Sequence, residues 1–154
     1  MEKFKHLLSN HHIIALDTNC FIYYFEEKRY LKELEYLFSS IENGSFQALT
    51  SVLTITEILV QPQFLGLQHV VDEYIALLGT YPNLKIIPFT LDIAVRAAEI
   101  RSTYKLRTPD AIHLATAWEN QATLFLTNDL DFPPEIGDIR IIHLNQLLGS
   151  GLDS

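Results

Sequence analysis

Ile13-Ile14-Ala15-Leu16-Asp17 is a short apolar run that stops on a carboxylate, and Thr123-Leu124-Phe125-Leu126-Thr127-Asn128-Asp129 is a second run that stops the same way. Apolar runs this short and this continuous, without the alternation of a half-exposed strand, read as strands buried on both faces. Further strands are expected over residues 46–50, 84–88 and 139–143. Helices are expected over 20–28, 30–41, 52–60, 67–78, 91–104 and 108–119. A helical lead-in over residues 4–8 precedes the first strand, a helical turn over 145–148 closes the chain, and the Gly/Ser tail at 149–154 is expected to fray. The order is βαβα. That alternation predicts an α/β sandwich of three layers, a parallel sheet flanked by helices.

Punctuation residues fit these boundaries. Asn19, Ser51, Thr90 and Thr108 are placed to cap helices through a side-chain oxygen. Pro109 follows Thr108 at the first helical position, where its missing N–H costs nothing. Asn43-Gly44 ends one helix, and Pro62 is expected to stop another.

The chain has 154 residues, which fits one domain, residues 1–154, with 1–12 as a lead-in. It has a single cysteine, Cys20, so no disulfide can form within it and a reducing cytoplasm is the expected setting. No apolar run approaches the roughly 20 residues of a membrane span, and no secretory leader is evident. The net charge is −8, from 11 basic and 19 acidic residues. That balance argues against holding nucleic acid on a broad basic surface. It does not exclude a nuclease, because a metal site concentrates carboxylates that bound cations offset.

In an open parallel sheet, ligands sit beyond the carboxyl ends of the strands. Asp17 and Asp129 would arrive there from separate strands. One such acid is explained by the turn that follows a strand; two point to a site. Asp110 lies in the first turn of its helix, where the helix dipole alone would favour an acid. Glu57 lies among apolar residues, and Thr54 one turn earlier could hydrogen-bond it; it could equally face water on a narrow polar stripe. Spacing alone leaves both open.

Taken together, Asp17-Thr18-Asn19, Ser51…Thr54…Glu57, Arg107-Thr108-Pro109-Asp110-Ala111-Ile112-His113-Leu114-Ala115-Thr116-Ala117 and Thr127-Asn128-Asp129…Phe132 resemble the PIN domain in order and type. The nearest likeness is to VapC-type toxins of bacterial toxin–antitoxin pairs. The resemblance runs from about residue 13 to residue 148 and implies a Rossmann-like, mostly parallel sheet with an acidic pocket. It implies that Asp17, Glu57, Asp110 and Asp129 are the catalytic, metal-binding acids, with Asp131 as an optional extra. Asn19, Thr54 and Thr127 match polar positions that orient acids or water. The implied activity is hydrolysis of RNA by an endoribonuclease that uses Mg²⁺ or Mn²⁺. These are hard ions that prefer carboxylate oxygen, and they activate water while stabilising the leaving oxygen. The implied partners are an RNA substrate, a cognate DNA-binding antitoxin and a second copy in a homodimer.

Arg101, Lys105 and Arg107 form the densest basic group; they could guide RNA phosphates or simply solvate a helix end. His113 is expected as a packed helix residue, His11 and His12 as surface, Cys20 as core, and Tyr23, Tyr24 and Phe25 as core or dimer interface. A haloacid-dehalogenase-type phosphatase would need an acid where Asn19 stands. A dinucleotide binder would need a glycine-rich loop after the first strand, and none follows. Two alternatives remain: a stand-alone RNA-processing PIN nuclease, and a non-cleaving PIN-like module that binds RNA or a partner.

Overall fold

A computed structural model describes residues 1–148; the fraying expected at 149–154 lies outside them. Helix α1 (Glu2–Ser9) leads into β1 (Ile13–Leu16), followed by α2 (Thr18–Phe25), α3 (Leu31–Glu42) and β2 (Gln47–Ser51). Then come α4 (Leu53–Phe64), α5 (Gln68–Thr80), β3 (Leu84–Ile87), α6 (Leu91–Tyr104) and α7 (Thr108–Glu119). The described chain ends with β4 (Leu124–Thr127), β5 (Glu135–Ile136), β6 (Ile139–His143) and α8 (Leu144–Leu148).

The strands form one sheet in the order β3-β2-β1-β4-β6-β5. Every pairing is parallel except β5 with β6. The sheet is therefore mostly parallel, as expected. The antiparallel strand β5 was not expected, because two residues are too short to show a period. A hairpin at Gly137, whose φ of 56° suits glycine, folds β5 back onto β6.

Successive side chains on a strand point to opposite faces, and this divides the core in two. Ile14 and Leu16 of β1, with Leu124 and Leu126 of β4, face a core formed with α1 to α5. Ala15 and Phe125 face the other core, formed with α6, α7, Phe132 and Ile136. Burial on both faces explains why both runs read as continuously apolar.

From β1 the chain steps through β2 to β3 on one side, then returns to place β4 and β6 on the other. The reversal lies between β1 and β4, and open α/β sheets bind their ligands beyond the strand ends at such a point. The register pairs Leu16 with Leu126, so Asp17 emerges beside Thr127.

Four boundary expectations need correction. The cap position of α4 is Val52 rather than Ser51, whose hydroxyl still accepts from the Leu53 amide at 3.0 Å. The cap of α2 is Asp17 rather than Asn19; the Asp17 carboxylate accepts from the Thr18 amide, while the Asn19 carbonyl oxygen accepts from the Asn128 amide at 3.2 Å. Pro62 does not stop α4, which runs on to Phe64; proline so near the end removes one backbone bond, and its buried ring packs. Arg107, not Thr108, takes the cap position of α7, because the Thr108 hydroxyl accepts from the Arg101 guanidinium at 2.7 Å. Thr90 does cap α6, accepting from the Ile93 amide. Among the described residues, no helix is long and apolar enough to cross a membrane.

Candidate active site

Asp17 sits where β1 turns into α2, and it is 7% exposed. One carboxylate oxygen accepts from the Thr18 amide at 2.8 Å, and the other accepts from the Thr127 hydroxyl at 2.6 Å. The Asn19 amide lies at the limit of hydrogen-bond reach, 3.5 Å from that second oxygen. Thr127 also accepts from the Asp129 amide at 3.0 Å. One buried hydroxyl thus links the two strand-end acids.

Asp110 approaches the same strand ends from the first turn of α7, where it is also buried. The Arg107 guanidinium donates to it from Nε at 3.2 Å and lies 3.7 Å from Asp129 through Nη2. Asp129 is partly exposed, and its Oδ1 accepts from the Asp131 amide at 2.9 Å. Asp131 itself is exposed, at the rim.

Glu57 approaches from α4. Its Oε1 accepts from the Thr18 hydroxyl at 2.8 Å and from His113 Nε2 at 2.5 Å. Thr54 does not bond it. The Thr50 hydroxyl donates to the Leu16 carbonyl at 2.8 Å, so Thr54 donates to Thr50, at 2.6 Å. Thr54 therefore braces β2 against α4, and Thr18 holds the glutamate.

His113 was expected as a packed helix residue. It is packed, at 3% exposed, but it also joins the site. Its Nε2 serves Glu57 and lies 3.8 Å from Asp17. Nδ1 is buried without a partner among the described residues. The neighbours of Nε2 are the Glu57 and Asp17 carboxylates and, at 3.5 Å, the Thr18 hydroxyl, whose own proton goes to Glu57, so Nε2 carries a proton. The signal in the sequence was the spacing of Asp110 and His113, one turn apart on one helix face.

The basic group divides. Only Arg107 touches the acids; Arg101 bonds Thr108, and Lys105 is the exposed left-handed residue ending α6. Asn128 was not singled out, yet it ties the end of β4 in place. It donates to the Tyr23 phenol at 3.1 Å and accepts from the Tyr30 phenol at 3.2 Å. Tyr24 stacks on Phe38 and Phe25 on Tyr74, so both belong to the packed aromatic cluster.

Electrostatics reflect the crowding of acids. Burial pushes the Asp17 carboxyl above the ordinary aspartate range, and the Glu57 charge adds to this. Burial also raises Asp110; Arg107 opposes the rise, while Asp129 and Asp17 reinforce it. Burial works to raise Glu57, but the His113 and Thr18 contacts hold it below the usual glutamate range. Burial works to lower His113, but Glu57, Asp17 and Asp110 lift it above the usual histidine range.

These directions set the pH dependence of stability. The raised Asp17, Asp110 and His113 each stabilise the fold at low pH and lose that contribution as pH climbs through their raised values. The lowered Glu57 acts oppositely, losing its contribution only in acid. The unfolding temperature of the protein in EDTA is therefore expected to fall between about pH 5.5 and about pH 8. Calorimetry across that range checks it; a flat or rising profile would contradict this account.

Oxygen donors of this kind suit a hard divalent cation. Among the described residues, no three acid, histidine or cysteine side chains already close around a single point; Arg107 lies between Asp110 and Asp129, and His113 between Glu57 and Asp17. The Arg107 guanidinium is itself a stand-in cation, and it shows that one positive group can serve Asp110 and Asp129 together.

Comparison with known proteins bears on the fold and the family. No curated protein matches the chain in sequence at a significant level. Among solved structures, a toxin–antitoxin complex from Klebsiella pneumoniae aligns with a TM-score of 0.64 and 25% identity, over 85% of this chain and 97% of that one. VapBC2 from Rickettsia felis, bound to a DNA fragment from its promoter, aligns with a TM-score of 0.61 and 18% identity, over 85% and 98%. DNA-bound VapBC from Salmonella typhimurium aligns with a TM-score of 0.58 and 20% identity, over 86% and 98%. The last two likenesses concern the fold alone. The profile of the PIN domain matches residues 14–134, a span that holds Asp17, Glu57, Asp110 and Asp129, and the chain belongs to the PIN-domain family.

Proposed function

We propose that the protein is a divalent-metal-dependent endoribonuclease, the toxin of a toxin–antitoxin pair. The observation that carries this reading is the gathering of Asp17, Asp110, Asp129 and Glu57 at one sheet edge, from two strand ends and two helices. Asp17, Asp110 and Asp129 would hold Mg²⁺ or Mn²⁺, with Glu57 beside them. The ion would lower the pKa of bound water and stabilise negative charge at the phosphodiester. The residues contribute position: Thr127 and Thr18 fix the Asp17 carboxylate, and Thr18 and His113 fix Glu57.

An antitoxin partner is supported by the toxin–antitoxin complex from Klebsiella pneumoniae. That this antitoxin also binds DNA is part of the same proposal. An exposed apolar ridge at the end of α4, where Phe64 is 84% exposed and Val60 60%, suits burial by a protein partner, including a second copy in a homodimer. A cytoplasmic setting goes with this reading.

Purified protein is expected to cut RNA in Mg²⁺ or Mn²⁺, to stop in EDTA, and to resume when the ion is returned in excess. Asp110→Asn is expected to be silent under all three conditions. Cleavage that persists in EDTA, or in Asp110→Asn, would overturn the assignment. A non-cleaving module would show RNA binding with no products in any condition.

A further inference from the structure

Arg107 stands at the cap of α7 with its backbone fixed in the fold and its side chain 71% exposed. The guanidinium nevertheless turns inward, 3.2 Å from Asp110 and 3.7 Å from Asp129. The side chain of Asp110 is only 9% exposed, and among the described residues the Arg107 guanidinium is the one cationic group paired with it. A planar guanidinium offers several donors in one fork and can serve two carboxylates at once. A divalent ion would need the same oxygen lone pairs and would be repelled by the same positive charge. The side chain is long and faces water, so it can leave without disturbing the core.

The geometry points to Arg107 as a built-in competitor for the metal, a cation from the chain itself that occupies Asp110 and Asp129 until a divalent ion displaces it. This inference rests on the metal reading given above. It adds that Arg107 sets how much ion the site requires, and that the acids are kept neutralised between encounters with metal. Like charges gathered without such a partner would repel one another.

The test is Mn²⁺ binding, followed through the signal of the free ion by electron paramagnetic resonance, with no RNA present. Exposed ion pairs are individually weak, and there are two of them. Arg107→Ala is therefore expected to bind Mn²⁺ about three- to tenfold more tightly than the parent protein, at the same stoichiometry. Arg107→Lys is expected to fall between the two, since an ammonium is a point charge and cannot fork. Lys85→Ala, at an exposed position on β3, removes the same charge elsewhere and is expected to leave the affinity unchanged.

Equal affinity in the parent protein and Arg107→Ala would overturn the inference and leave the metal reading standing. So would an equal gain in Lys85→Ala, which would assign the effect to overall charge. Absence of Mn²⁺ binding in every variant would overturn the metal reading and this inference with it.

Discussion

Asp17→Asn is expected to lose RNA cleavage by about two to three orders of magnitude, the scale of removing one preorganised charge-stabilising group, while melting no lower than the parent protein. The two halves of this result have one cause. Asp17 is buried, and burial together with Glu57 makes its negative charge unfavourable there. Asparagine keeps the shape and caps a helix as well as aspartate does. Its carbonyl oxygen can keep the bond from the Thr18 amide, while its NH2 faces the Thr127 hydroxyl and donates to it, reversing the 2.6 Å bond that Thr127 donates to Asp17. What disappears is the charge, which hinders folding and which a cation would need; the one acceptor lost with it is offset by the donor that asparagine turns toward Thr127. Function and stability oppose one another at such positions. Cleavage assays beside calorimetry check both halves. Full activity in the variant would remove Asp17 from the site, and a much lower melting temperature would show the loss of activity to be a loss of fold.

The largest effect on stability is expected at Phe38, far from the chemistry. It is 1% exposed on α3 and lies at the centre of an aromatic cluster. Its ring stacks on Tyr24 at 4.3 Å and meets Phe21 at 5.5 Å and Tyr81 at 5.8 Å edge-on. Phe38→Ala removes the buried ring and leaves a cavity that its four aromatic neighbours, Phe25 included, cannot fill without leaving their own partners. The expected cost is about 3–5 kcal/mol. Against a total of about 5–15 kcal/mol for a domain, that loss is a large part of the fold. Urea unfolding followed by fluorescence measures it. A loss below about 1 kcal/mol would mean that the cluster repacks and that the contacts seen here carry little energy.

The same physics explains what could be read early. The runs at β1 and β4 are apolar on both faces because helices cover both faces, so local sequence reported the layer order. Thr90 and its helix were legible because capping involves neighbours in sequence. Asn19 and Thr108 were misread as caps because more distant partners, Asn128 and Arg101, claimed their side chains. The strand β5 was missed because a two-residue strand has no pattern to find.

The sequence by itself determined the α/β class, most of the elements, and the two acids at strand ends, since each depends on periodicity or on position relative to a strand. Its likeness to the PIN pattern supplied Glu57 and Asp110, whose roles local context left open. Only the tertiary structure decided which polar groups meet. Thr18 rather than Thr54 bonds Glu57, His113 joins the acids as well as the core, and of the three basic residues only Arg107 lies across Asp110 and Asp129. These contacts, and the bond from Thr127 to Asp17 across 110 positions, join residues far apart in the chain. No local preference encodes them. They follow from the parallel register that sets Asp17 beside Thr127, and from the packing of α4 and α7 around the end of the sheet.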